Sequence, residues 1–101
     1  MKDSVSIEGV FEAAERLKGL VETTPLIKNN NLSDFYKANI YLKREDLQVV
    51  RSYKIRGAFN KMHSITKEQL IRGVVCASAG NHAQGVAYVC REMGVKGYIF
   101  M

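Results

Sequence analysis

"VVCASAGNHAQGVAYVCREMGVKGYIFM", Val74 to Met101, holds a strand, a turn, a helix and a second strand in one continuous run. Val74-Val75-Cys76-Ala77 is an uninterrupted apolar segment, which predicts a strand covered on both faces. From Ala83, the residues Val86, Ala87, Cys90 and Met93 keep the spacing of a one-sided helix, with Gly94 placed to close it in a left-handed conformation and Val95 behind it. Gly97 to Met101 predicts a further buried strand. Two strands joined by a helical crossover form a parallel unit, because parallel neighbours need a connection of about that length. The class is α/β.

The preceding chain has the same character. Ile7, Val10, Phe11, Ala14, Leu17 and Val21 predict an amphipathic helix, with Ser6 as its cap and Gly19 near its end. Thr23-Thr24-Pro25-Leu26 breaks that pattern, because proline disfavours helix before it, and an extended segment follows. Asn29 to Asn31 form a polar stretch rich in asparagine, and Asn39 to Lys43 predict a short strand whose charged exit, Arg44-Glu45-Asp46, opens a loop. Ile55, Ala58, Phe59 and Met62 return to helical spacing with Ser52 as N-cap, so Lys54 falls in the first turn. Thr66 and Gln69 fit a capping box, and Gly73 is placed to end the short helix they open. Spacing alone implies one continuous sheet, with no repeat or low-complexity linker to mark a domain boundary.

A chain of 101 residues with 47% hydrophobic residues, 25% charged residues and a single proline is that of one small globular domain or a piece of a larger one. The formal charge of +5 does not point to nucleic acid: basic residues are scattered, and Lys43-Arg44 is followed at once by Glu45-Asp46. Cys76 and Cys90 lie in apolar segments without metal or redox spacing, as small buried residues of a reducing compartment do. The N-terminal stretch lacks an apolar signal core, and no apolar run approaches the roughly 20 residues of a membrane helix, so a cytoplasmic location is expected. No glycine-rich phosphate signature is present, and His63 and His82 lack the partners a metal site needs.

In parallel α/β proteins, ligands sit outside the carboxyl ends of strands, where loops lead into helices. Two loops qualify: Glu45 to Ser52, ahead of Lys54, and Ala77 to Gly85, with its small residues followed by Asn81 and His82. Bare amides near the start of a helix suit a carboxylate; Ser78, Gly80 and Asn81 are equally ordinary cap and turn residues. Lys54 leaves a similar choice. A lysine amine is nucleophilic only when neutral, a state that burial or a neighbouring cation favours, and Arg51 and Arg56 flank it. The other choice is a stem laid along the apolar face with its ammonium in solvent.

The motifs resemble those of one family. "SYKIRGA", Ser52 to Ala58, is similar to the Ser-Phe-Lys-x-Arg-Gly-Ala signature around the pyridoxal-phosphate lysine of the serine and threonine dehydratases, and "SAGNHAQGVA", Ser78 to Ala87, resembles their asparagine loop. "TPL", Thr24 to Leu26, and "KREDLQ", Lys43 to Gln48, match further landmarks, so the resemblance covers nearly the whole chain. It implies that Lys54 holds pyridoxal phosphate through its amine and then takes the substrate's Cα proton. It implies further that Tyr53, at the usual phenylalanine position, packs on the cofactor ring. Asn81 would hydrogen-bond the ring hydroxyl, and Ser78, Ala79, Gly80, Asn81 and His82 would hold the substrate carboxylate. Serine racemases resemble this stretch but tend to carry a serine at the position of Ala79, which favours dehydration here.

Within the family the pattern looks most like the biosynthetic threonine dehydratases, which convert L-threonine to 2-oxobutanoate and ammonia at the start of isoleucine biosynthesis. L-Serine dehydratase and serine racemase are the alternatives of the same family, and a small non-catalytic α/β interaction module is the alternative of another class. The resemblance also implies the three-layer fold type II architecture, similar to the tryptophan synthase β subunit. In it, residues 1–65 belong to a large cofactor-binding domain and residues 66–101 open a small one. Family members are several times longer, form dimers or tetramers, and supply the cofactor's phosphate loop from later sequence. The chain is accordingly expected to be an N-terminal fragment, inactive alone.

Overall fold

The computed structural model describes residues 4–101; Met1-Lys2-Asp3, the start of the stretch inspected for a signal core, lies outside them. Helix α1 runs Ile7–Leu17, capped by Ser6, whose hydroxyl accepts the Gly9 amide at 3.1 Å. Strand β1, Leu26–Lys28, pairs antiparallel with β2, Tyr41–Lys43. Between them lies α2, Asn30–Tyr36, where the polar asparagine stretch gave no expectation of a helix. The asparagine run is a cap rather than a coil: the Asn29 side chain accepts the Leu32 amide at 2.8 Å, and Lys37 ends the helix in a left-handed conformation.

A 3-10 turn at Glu45–Leu47 leads to α3, Lys54–His63. Its cap position is Tyr53 rather than Ser52; the Ser52 hydroxyl accepts the Lys54 amide at 3.4 Å from one residue further out. Helix α4, Lys67–Ile71, has the expected capping box, with Gln69 and Thr66 exchanging bonds of 3.3 and 3.4 Å. Gly73, at φ +84°, turns the chain into β3, Val74–Ala77. Helix α5, Asn81–Met93, ends at Gly94 with φ +65°, as expected, and β4, Gly97–Phe100, pairs parallel with β3.

Two separate two-stranded sheets therefore replace the single sheet that spacing implied: β1 and β2 are antiparallel, and only β3 and β4 form the parallel pair. The core lies between α3 and α5, where Ile55, Phe59 and Met62 pack with Val86, Val89 and Cys90, joined by Leu17 and Val50. The anticipated helical stripe of α5 is shifted: Ala87 is exposed and Val89 is buried. Other expected apolar faces are open. Ile7, Val10 and Phe11 of α1 are exposed, and Val75 of β3 retains 68% of its surface instead of being covered on both sides. Both cysteines are free. No helix of the described residues is long and apolar enough to cross a membrane.

Candidate active site

Lys54 opens α3, and a polar clamp lies behind it, anchored on Arg56 two residues further along the helix. The Glu45 carboxylate receives the Arg56 guanidinium through two bonds of 2.9 and 2.8 Å, together with the Thr24 hydroxyl and the Gln48 amide. The side chain of Glu45 is only 13% exposed. The guanidinium beside it holds the carboxyl at about 2, far below the ordinary carboxylate value, with the Thr24 and Gln48 donors adding to the effect. Gln48, fully buried, imitates a strand partner: its amide oxygen accepts the Glu22 amide and its nitrogen donates to the Glu22 carbonyl, both at 2.9 Å. Thus "KREDLQ" is a structural strap, and Arg56, expected as a cation bearing on Lys54, is committed to Glu45. Arg51, the other flanking cation, sits exposed in a left-handed turn at φ +64°.

The Lys54 side chain is half-buried, and among the described residues no carboxylate pairs with it. Its Nζ lies 5.2 Å from the centre of the exposed Tyr53 ring, within cation–π range. Beside it opens a cleft of about 380 Å³ walled by Tyr53, Lys54, Arg56, Gly57, Ala58 and His82. That volume falls in the range of small-ligand sites, roughly 300–1,000 Å³. Gly57, with open space where a Cβ would stand, keeps the wall low. An unpaired amine at the mouth of a cleft, with an aromatic face next to it, fits a planar aromatic aldehyde.

The second loop reaches this cleft through His82, which also lines a larger groove of about 490 Å³ running along α3, β3 and α5. Ser78, Ala79, Gly80 and Asn81 are not among the cleft's walls. The Ser78 hydroxyl accepts the Ala83 amide at 3.1 Å and the Gly80 amide at 3.3 Å, so it caps α5 while its own proton stays free to donate. Both readings of Ser78 are compatible in that geometry. Asn81 is the exposed first residue of α5, following Gly80 at its cap position. Sequence reasoning missed Gly85, at which α5 touches the backbone of Lys54 itself; a glycine inside an otherwise helical stripe was the available signal. Among the described residues, no group of three or more His, Cys, Asp or Glu is placed to hold a metal.

With this geometry in view, residues 17–101 match the family described as pyridoxal-phosphate dependent enzymes, and the chain belongs to that family. It is 60% identical over 97 residues to the biosynthetic L-threonine dehydratase of Halalkalibacterium halodurans, an alignment covering 96% of this chain and 23% of the relative. Among solved structures it resembles a threonine deaminase from T.th., at TM-score 0.81 and 34% identity over 93% of this chain and 33% of that one. It also resembles maize serine racemase, at TM-score 0.87 and 32% identity over 94% of this chain and 30% of that one. The chain thus spans about a quarter of the length of the curated relative. The mixed α/β architecture with its parallel pair is that of the fold type II enzymes.

Proposed function

We propose that this chain carries the lysine and the carboxylate-binding loop of a threonine dehydratase, an ammonia-lyase producing 2-oxobutanoate and ammonia from L-threonine. The observation that supports this is a cleft lined by both Lys54 and His82, one residue from each of the two sequence motifs. When bound, pyridoxal phosphate supplies the electron sink that makes an amino acid's Cα proton removable. Lys54 would hold the cofactor and, when free, would accept that proton at Nζ. Tyr53 would offer its ring to the cofactor, and the Asn81 amide would donate to the ring hydroxyl. The amides of Ala79 to His82, at the start of α5, and the free Ser78 proton hold the substrate carboxylate. The β-hydroxyl would leave as water with the proton that Lys54 Nζ took from Cα, and hydrolysis of the resulting unsaturated amine would consume one water.

The fold does not separate dehydratase from racemase, since solved structures of both kinds superpose well on this chain. Ala79 supports dehydration because it supplies no hydroxyl for a second acid or base, and the 60% identity supports threonine over serine. The proposed division, large domain 1–65 and small domain 66–101, would place the α3–α5 packing between the two. Homo-oligomeric assembly, a soluble cytoplasmic setting and the absence of nucleic-acid or membrane partners belong to the same proposal and rest on the resemblance.

The test joins residues 1–101 to the C-terminal remainder of the H. halodurans relative. Borohydride trapping of pyridoxal phosphate should label Lys54, and Lys54→Ala should abolish both the label and ammonia release from threonine. Equal label in wild type and Lys54→Ala, with no ammonia released, would favour a non-catalytic interaction module. Parallel assays with serine, and chiral analysis of unreacted substrate, separate serine dehydratase and racemase.

A further inference from the structure

A glycine inside a helix lowers its stability, so its place there calls for a physical reason. Gly85, at the start of the second turn of α5, is buried. A Cβ built on it would stand 3.2 Å from the Lys54 carbonyl oxygen, 3.3 Å from its carbon and 3.4 Å from the Ile55 nitrogen. The other helical glycines differ: Gly57 faces open space, and Gly9 meets only the Ser6 hydroxyl that caps its own helix. Helix α5 therefore crosses α3 backbone on backbone, at the peptide that follows the lysine.

We propose that Gly85 is a positioning residue that sets the separation between the Lys54 amine and the Asn81–His82 end of α5. This rests on the assignment of Lys54 as the cofactor lysine. Asn81 and His82 lie about one helical turn before Gly85, roughly 4.5–6 Å along the axis, so a shift at the crossing passes directly to them. Backbone cannot rotate out of the way as a side chain can. A methyl group at this position would drive the helices apart by a few tenths of an ångström. Since about 1 Å of misplacement can cost on the order of a hundredfold in rate, a shift of this size should cost several-fold.

In the joined protein described above, pyridoxal phosphate affinity and the absorption maximum of the lysine-linked cofactor are measured for wild type, Gly85→Ala, Gly85→Val and Arg91→Gly. Arg91 is exposed near the far end of α5, so its replacement weakens the helix without touching Lys54. Gly85→Ala should weaken cofactor affinity at least fivefold and move the absorption maximum, Gly85→Val should do so further, and Arg91→Gly should lower the Tm with affinity unchanged. If Gly85→Val does not fold, Gly85→Ala decides alone. Wild-type affinity and spectrum in Gly85→Ala, or an equal loss of affinity in Arg91→Gly, would overturn the proposal while leaving Lys54 labelling intact. Absence of Lys54 labelling in the wild type would instead sink both the proposal and the assignment beneath it.

Discussion

The Glu45 carboxylate collects donors from three parts of the chain, Thr24, Gln48 and Arg56, and its acidity records the result. Its folded value of about 2 lies below the ordinary value of 4.5. The clamp therefore contributes fully above about pH 4.5 and is lost as pH falls through 2. The contribution is about 3 kcal/mol at neutral pH. Denaturant titrations of wild type between pH 6 and 2 should show that loss, and Glu45→Gln should be less stable at pH 6 with a flatter acid limb. Gln48→Leu keeps the volume but removes the partner of both Glu22 backbone groups at a part-buried site, and urea unfolding should report a loss of about 1–2 kcal/mol. Neither substitution touches the Lys54 amine. Any fall in cofactor affinity beyond the fall in stability would show that the strap also orients the lysine.

At the scale of elements, what local chemistry controls was legible and what distant residues control was not. The Ser6 cap, the Thr66–Gln69 box and the Gly94 stop all act within a few residues, so each could be placed by inspection. Lys54 and the Ser78–His82 loop stood out through motif resemblance. Helix α2 escaped because seven residues are too few to display a helical period, and its caps resemble loop residues. The Glu45–Arg56 pair, the Gln48–Glu22 bridge and the Gly85–Lys54 contact join separate elements, and no single segment's pattern encodes them. Two substitutions test the local and packing contributions. Thr66→Ala should cost about 1 kcal/mol, confined to α4 by amide exchange. Ile55→Ala, at a site with no exposed surface, should cost about 2–5 kcal/mol by thermal unfolding.

The whole molecule is open in shape. Its radius of gyration is 16.3 Å, against about 13 Å for a compact domain of this length. Its accessible surface is 7807 Å², against about 5,800 Å² for a compact chain of 11.4 kDa. Phe11, Phe35, Val75 and Phe100 lie on that surface, and β3 and β4 form a two-stranded pair of the kind that is marginal without a third partner. The isolated chain should therefore self-associate at concentrations of about 10 μM and bind an apolar dye. Phe11→Lys with Val75→Lys should reduce both in sedimentation and fluorescence measurements. A monomer that ignores the dye would show that these faces are quiet in solution.

The contact between Gly85 and the Lys54 peptide also fixes an order of events during synthesis. The strap from Glu22 through Gln48 to Arg56 can close as soon as α3 has left the ribosome. The lysine's other neighbours arrive only when α5 has emerged and laid its glycine on that peptide. For the interval in between, a nascent chain carries a lysine already held from behind and still bare in front.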